Sequence, residues 1–117
     1  MFSDPQSITV NSVAKSMPRV STTGTASVYK KADETFQMTI SHTKAQGGRI
    51  RSVVRVDQKA IVPDPLTSVN DYETLTVYTV IDRPLAGFTS ADVNYLVAAL
   101  SGWLDSTAVG KLFGQES

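Results

Sequence analysis

The sequence predicts an α+β fold in which antiparallel strands come first and two helices last. Three observations carry this. Apolar and polar residues alternate with a period of two through residues 25–57 and again through 72–81. A glycine pair, Gly47-Gly48, interrupts the first run, and at Thr89 the period lengthens to that of a helix.

The central stretch, residues 35–57, reads TFQMTISHTKAQGGRIRSVVRVD. Its first half sets Phe36, Met38 and Ile40 on one face and Gln37, Thr39, Ser41 and Thr43 on the other. Its second half sets Ile50, Val54 and Val56 against Arg49, Arg51, Val53, Arg55 and Asp57. Such alternation belongs to strands covered on one side only. The glycines supply the positive φ that reverses the chain between them. The result is a hairpin with one apolar face and one face of hydroxyl and guanidinium groups. A solvated strand face accounts for any single arginine. Three on alternate residues exceed what Asp57 alone can pair, and beside a row of Thr and Ser they point to a polyanion.

Residues 7–22 carry Ile8, Val10 and Val13, then Met17, Pro18, Arg19 and Val20, with Ala14-Lys15-Ser16 between. They read as a short, mostly polar hairpin with Pro18 confined to an edge. Thr22-Thr23-Gly24 turns the chain into residues 25–31, where Ala26 and Val28 alternate with Thr25, Ser27, Tyr29 and Lys31; Ala32-Asp33-Glu34 is a turn by composition. Beyond the central hairpin, residues 58–71, QKAIVPDPLTSVND, hold Pro63 and Pro65, and two prolines so close predict a long loop. Alternation resumes with Leu75, Val77 and Ile81 against Tyr72, Thr74, Thr76 and Tyr78, and residues 82–87 end the sheet.

Thr89 is a good N-cap, and Asp92 stands where it can reach back to form a variant capping box. Val93, Leu96, Val97, Leu100 and Leu104 then make one apolar stripe over a helix about 24 Å long. Ser106 or Thr107 is expected to cap a second short helix with Val109, Leu112 and Phe113 inward. The helices leave the last strand by a short connector and must cover an apolar sheet face, either their own or a partner's.

The chain has 117 residues, net charge zero, 19% charged and 41% hydrophobic residues, which suits one folded domain rather than a disordered or uniformly basic chain. The charge is uneven. Between Lys44 and Lys59, five cations (Lys44, Arg49, Arg51, Arg55, Lys59) face only Asp57, whereas from Asp82 onward four carboxylates outnumber Arg83 and Lys111. With no cysteine and one histidine, disulfides and thiolate or zinc sites are not expected. No apolar run approaches the roughly 20 residues of a membrane helix. MFSDPQS lacks the features of a signal peptide, so the expectation is a soluble cytoplasmic protein without membrane association.

Nothing makes a good enzyme. His42 follows Ile40 on the apolar side of its strand, the carboxylates are scattered, Gly47-Gly48 leads into a strand rather than a phosphate-binding helix, and no base activates the hydroxyls. No catalytic residue, metal, cofactor or small-molecule substrate is expected. Tyr72 and Tyr78 are either ordinary strand formers or platforms for an unpaired base.

The run GTASVYKK, a turn, FQMTISHT, a hairpin, RIRSVVRVD, a proline-containing loop, YETLTVYTVI and FTSADVNYLVAALSGWLDS together resemble the coat proteins of single-stranded RNA bacteriophages (levivirus-like). The likeness lies in order and spacing over almost the whole chain. It implies an N-terminal β-hairpin (1–24), a five-stranded antiparallel sheet (25–82) and a helical dimerisation segment (88–117). It also implies an interlocked homodimer in which Val93, Leu96, Val97, Leu100 and Leu104 pack on the partner's Phe36, Met38, Ile40, Val54, Val56, Leu75 and Val77. Dimers would build an icosahedral shell, assembled in the host bacterial cytoplasm, with Pro63, Asp64 and Pro65 in the loop between dimers. The inward face would bind single-stranded RNA through Thr39, Ser41, Arg49, Arg51, Arg55, Asp57, Tyr72 and Thr74, with Tyr29 and Lys31 sharing it. Repression of replicase translation by clamping an RNA hairpin is a further implication. Val53, where a hydroxyl is expected, and Gln37, where a lysine is expected, depart from the family pattern. The alternative is a small dimeric α+β nucleic-acid-binding regulator that builds no shell.

Overall fold

The computed structural model describes residues 2–63, 66 and 70–117 and divides into two units, Met1–Arg83 and Pro84–Ser117. The first contains β1 (Gln6–Val10), β2 (Val13–Met17), β3 (Arg19–Thr23), β4 (Ala26–Lys30), β5 (Phe36–Ala45) and β6 (Arg49–Pro63), and β7 (Asn70–Pro84) closes it. Strands β1 and β2 form a two-stranded sheet, and the other five form a sheet in the order β3-β4-β5-β6-β7. The fold class is therefore the one expected, with three differences of detail.

The N-terminal hairpin turns at Asn11 and Ser12, both at positive φ, and not at Ala14-Lys15-Ser16. Asparagine tolerates that region, and the turn needs it. Residues 19–23, expected within this hairpin, instead supply the fifth strand of the main sheet, pairing with β4 through a bulge between Arg19 and Ser21. Pro18 sits between β2 and β3, where its carbonyl accepts from Lys30 N at 3.0 Å. Finally, much of the expected loop at 58–71 is strand. Proline removes a donor only at its own position, so Gln58 to Val62 continue β6, and Lys59 N donates to Thr35 O at 2.8 Å. Pro63 ends β6, and Asp64 and Pro65 lie outside the described residues.

The β5–β6 hairpin turns as expected through one 3₁₀ turn, Gln46–Gly48, with Gly47 at φ 79° and Gly48 at φ 74°. Its register sets Met38 against Val56, Ile40 against Val54 and His42 against Ser52 on one face, and Thr39 against Arg55 and Thr43 against Arg51 on the other. On the apolar face, Met17, Tyr29, Phe36 and Ile40 are buried together, with Ile8, Val10 and Met38 packed against them. The chain's own N-terminal hairpin thus covers Phe36 and Ile40, which the family resemblance assigns to a partner's helices. Met17, a single apolar residue in a polar run, carries no periodic signal. Leu75 and Val77 remain 65% and 62% exposed.

The second unit holds α1 (Ser90–Trp103) and α2 (Ser106–Phe113). The capping box forms as expected: Thr89 Oγ1 accepts from Asp92 N at 3.3 Å, and Asp92 Oδ2 accepts from Thr89 N at 3.0 Å. Leu104 is the C-cap of α1, so its 14 residues span about 21 Å. The N-cap of α2 is Asp105, whose carboxylate accepts from Ala108 N at 2.9 Å, rather than Ser106 or Thr107. No residue of either helix is buried, and Leu96 and Leu100 are 75% and 54% exposed. No described helix is long and apolar enough to cross a membrane.

Candidate nucleic-acid interface

The face opposite the core is built by strand parity. In β5 it carries Gln37, Thr39, Ser41 and Thr43, and in β6 Arg49, Arg51, Val53, Arg55 and Asp57. Three contacts bring β7 to the same face at its even positions. Lys59 Nζ lies 4.5 Å over the Tyr72 ring, Thr76 Oγ1 donates to Asp57 Oδ1 at 2.6 Å, and Arg49 Nε donates to Asp82 Oδ1 at 2.9 Å. Contacts at both ends and in the middle agree, so no bulge inverts the alternation, and Tyr72, Thr74 and Tyr78 follow. Thr39, Ser41, Arg49, Arg51, Arg55, Asp57, Tyr72 and Thr74 therefore share one surface.

Tyr29 and Lys31 do not join them. Tyr29 pairs with Met38, which puts it on the apolar face, where it is 1% exposed beneath the Arg19 guanidinium. Its hydroxyl accepts from Arg19 Nη2 at 3.0 Å and from Nε at 3.3 Å. The same register brings Ala26, Val28 and Lys30 to the arginine side. The strand's pattern is ambiguous because an amphipathic tyrosine alternates with small apolar residues, and only its pairing with β5 decides. Lys31 follows the end of β4, and its amine is held by Asp33 Oδ2 at 2.8 Å. Through that lysine first, and then the hydroxyl and amide of Thr35, the Asp33 carboxyl is held well below the usual carboxylate range.

The arginines are better partnered than the sequence suggests. Arg55 Nε donates to Asp57 Oδ1 at 3.0 Å, while Asp82 takes Arg49 and approaches Arg51 Nη2 at 3.9 Å. Asp82 was expected to end the sheet, but β7 runs on through it, and its even number puts it in the row of Tyr72 and Thr76. That parity was the overlooked signal. Among the described residues this face carries Lys30, Arg49, Arg51, Arg55 and Lys59 against Asp57 and Asp82, so positive charge still prevails. Arg51 and Arg55 are each 52% exposed at their side chains, available to a ligand arriving from solvent.

His42 lies on the other face, exposed rather than buried, with Nδ1 2.8 Å from Ser52 Oγ. No cluster of His, Asp or Glu among the described residues could hold a metal ion. What the arginine face can do is bind rather than react. Guanidinium and ammonium groups meet phosphates, hydroxyls donate to them, and an exposed tyrosine ring offers a stacking surface.

The virus-like particle of bacteriophage AVE019 has a similar chain fold, with TM-score 0.79 and 12% identity over 95% of this chain and 93% of that one. The virus-like particle of Beihai levi-like virus 21 gives 0.72 and 11% over 97% and 95%. The bacteriophage GA protein capsid gives 0.66 and 11% over 96% and 95%. At these identities the likeness is one of fold. No curated protein sequence matches the chain. The family described as phage phiCb5 coat protein does match, over residues 3–84, which spans the whole strand unit from before β1 to the end of β7. The chain belongs to the phage phiCb5 coat protein family and is a structural, non-enzymatic component of a phage shell.

Proposed function

We propose that the chain forms a homodimer, that dimers assemble into a closed shell, and that the arginine face turns inward to package single-stranded RNA. One observation carries the RNA reading: Arg51, Arg55, Lys59, Thr39, Ser41 and Tyr72 share a surface on which cations outnumber carboxylates. Phosphates are the anions such an array suits, and the tyrosine adds affinity for unpaired bases without selecting among them. Val53 and Gln37 also lie on this face, where a hydroxyl and a lysine would sharpen recognition of one RNA hairpin. General packaging is accordingly favoured over translational repression.

The dimer rests on three features. Leu75 and Val77 present an open apolar patch, Leu96, Leu100 and Leu104 present an open apolar stripe, and β7 is the last strand in the sheet order. Packing one copy's α1 on the other's half-buried Val54 and Val56 and exposed Leu75 and Val77 would bury both surfaces. Phe36 and Ile40 already have their cover. A protomer with four buried apolar residues among those described gains most of its core that way.

The test is expression of the full chain in bacteria, followed by light scattering, negative-stain microscopy and absorbance at 260 and 280 nm. Uniform particles rich in RNA are expected. A dimer free of nucleic acid at physiological salt would overturn both packaging and assembly, and a dimer that binds RNA without forming particles would leave only the regulator.

A further inference from the structure

The arginine face contains two anions of its own, Asp57 and Asp82. Asp82 reaches it from β7, and its Oδ1 accepts from Arg49 Nε at 2.9 Å while its backbone carbonyl accepts from Arg49 Nη2 at 3.2 Å. Its second oxygen lies 3.9 Å from Arg51 Nη2. We propose that Asp82 is an internal substitute for an RNA phosphate, which withholds Arg49 from RNA and thereby lowers the affinity and the salt dependence of this face. The proposal rests on the RNA reading above.

The chemistry of the two ligands is alike. A carboxylate and a phosphodiester each present two anionic oxygens to the guanidinium fork, so they compete for the same N–H groups, and their charges repel at contact distance. Asp82 and Asp57 nevertheless differ. Asp57 is mostly covered, at 15% side-chain exposure, and is fixed by both Thr76 Oγ1 at 2.6 Å and Arg55 Nε at 3.0 Å. It orients Arg55 from within the sheet surface. Asp82 is 38% exposed and its carboxylate is engaged by guanidinium groups. Solvent-exposed ion pairs of that kind add little to the fold, so removing the Asp82 carboxylate leaves the sheet intact while freeing the Arg49 guanidinium for a phosphate. A shell protein gains from such restraint. It must hold RNA of any sequence and yet release misplaced segments while the shell closes.

The test compares full-length wild type and Asp82→Asn in binding a fluorescently labelled 20-nucleotide single-stranded RNA of mixed sequence, at salt from 50 to 200 mM. Each phosphate contact on single-stranded nucleic acid adds about 0.7 to the slope of log affinity against log salt. Asp82→Asn is expected to bind more tightly at 50 mM and to steepen the slope by about 0.7, which is about 2.6-fold more affinity lost across the fourfold salt range. Adding Arg49→Ser to Asp82→Asn should return the slope to the wild-type value. Glu73→Gln, which removes the same charge from the opposite face of β7, should leave the slope unchanged, and this separates a local substitute from a change in net charge. Equal slopes for Asp82→Asn and wild type would overturn the proposal while leaving the RNA reading standing. If Asp82→Asn does not fold, the single variants in the wild-type background decide. Arg49→Ser should then leave the slope as it was while Arg55→Ser lowers it by about 0.7, and equal losses from the two would refute the withholding of Arg49. A wild type that shows no salt-dependent binding at all would refute the RNA reading itself.

Discussion

Changing Arg51 and Arg55 together to serine tests the proposed role of the arginine face most directly. Both side chains are 52% exposed and neither supports the core, which is built on the opposite side of the sheet. The fold should therefore survive. Arg55→Ser removes one donor to Asp57 but leaves the Thr76 hydroxyl at 2.6 Å, so no carboxylate is stranded. Arg51 gives up only a 3.9 Å approach to Asp82, which keeps Arg49. The exposed Arg51–Asp82 approach contributes about 0 to 1 kcal/mol, and the hydrogen bond to the mostly covered Asp57 carboxylate about 1.5 to 3 kcal/mol, so the urea midpoint should fall modestly. RNA binding should move much more. Removing two cations that each meet one phosphate, at about 0.7 apiece, reduces the salt slope by about 1.4, so between 50 and 200 mM salt the double variant should lose about sevenfold less affinity than wild type. The assay is the salt titration with single-stranded RNA, read beside the absorbance ratio of purified particles, which should fall toward that of protein alone. A slope indistinguishable from wild type, with the fold intact, would show that these arginines do not meet RNA and would remove the main support for packaging.

Leu100→Ala should lower stability by about 2 to 5 kcal/mol if the α1 stripe is buried between copies, and the denaturation midpoint should depend on protein concentration; an unchanged midpoint would place that leucine in solvent. Tyr29→Phe removes the acceptor of two Arg19 hydrogen bonds at 3.0 and 3.3 Å, and urea unfolding should report a loss of about 1.5 to 3 kcal/mol without altering the RNA salt slope. A changed slope with unchanged stability would return Tyr29 to the RNA side. Asp33 has its carboxyl lowered by Lys31 and Thr35, so it stabilises the fold above the ordinary aspartate range and loses that contribution as pH falls through the lowered value. Asp33→Asn should thus be less stable than wild type at pH 6, with the gap narrowing as pH drops below about 4 and onward into strong acid. A gap that stays constant over that range would mean the ion pair adds nothing.

The elements whose signals lie within a few residues were legible. The Gly47-Gly48 reversal, the two faces of the β5–β6 hairpin, the Thr89–Asp92 capping box and the helix it starts all follow from neighbours in the chain, because turn geometry, pleat and helix capping are local. The candidate site was legible to the extent that it lies on β5 and β6. In its β7 half, parity sufficed to put Tyr72 and Thr74 on the arginine side. Asp82 was missed, because the motif Asp-Arg-Pro looks like the end of a strand. The strand β6 runs into the proline-marked stretch 58–71 because a proline stops the ladder only where it stands.

Read alone, the amino-acid order settles a set of two-faced strands and helices with their breaks, since each such preference is fixed by steric and hydrogen-bonding choices within one or two turns of chain. Which faces meet was left to long-range pairing. That pairing gave Tyr29 to the core through its register with Met38, set the N-terminal hairpin over Phe36 and Ile40, and brought Asp82 to Arg49 across 33 residues of sequence. Those outcomes depend on strand register and on partners distant in the chain, and a shift of one residue in pairing would have reversed every one of them.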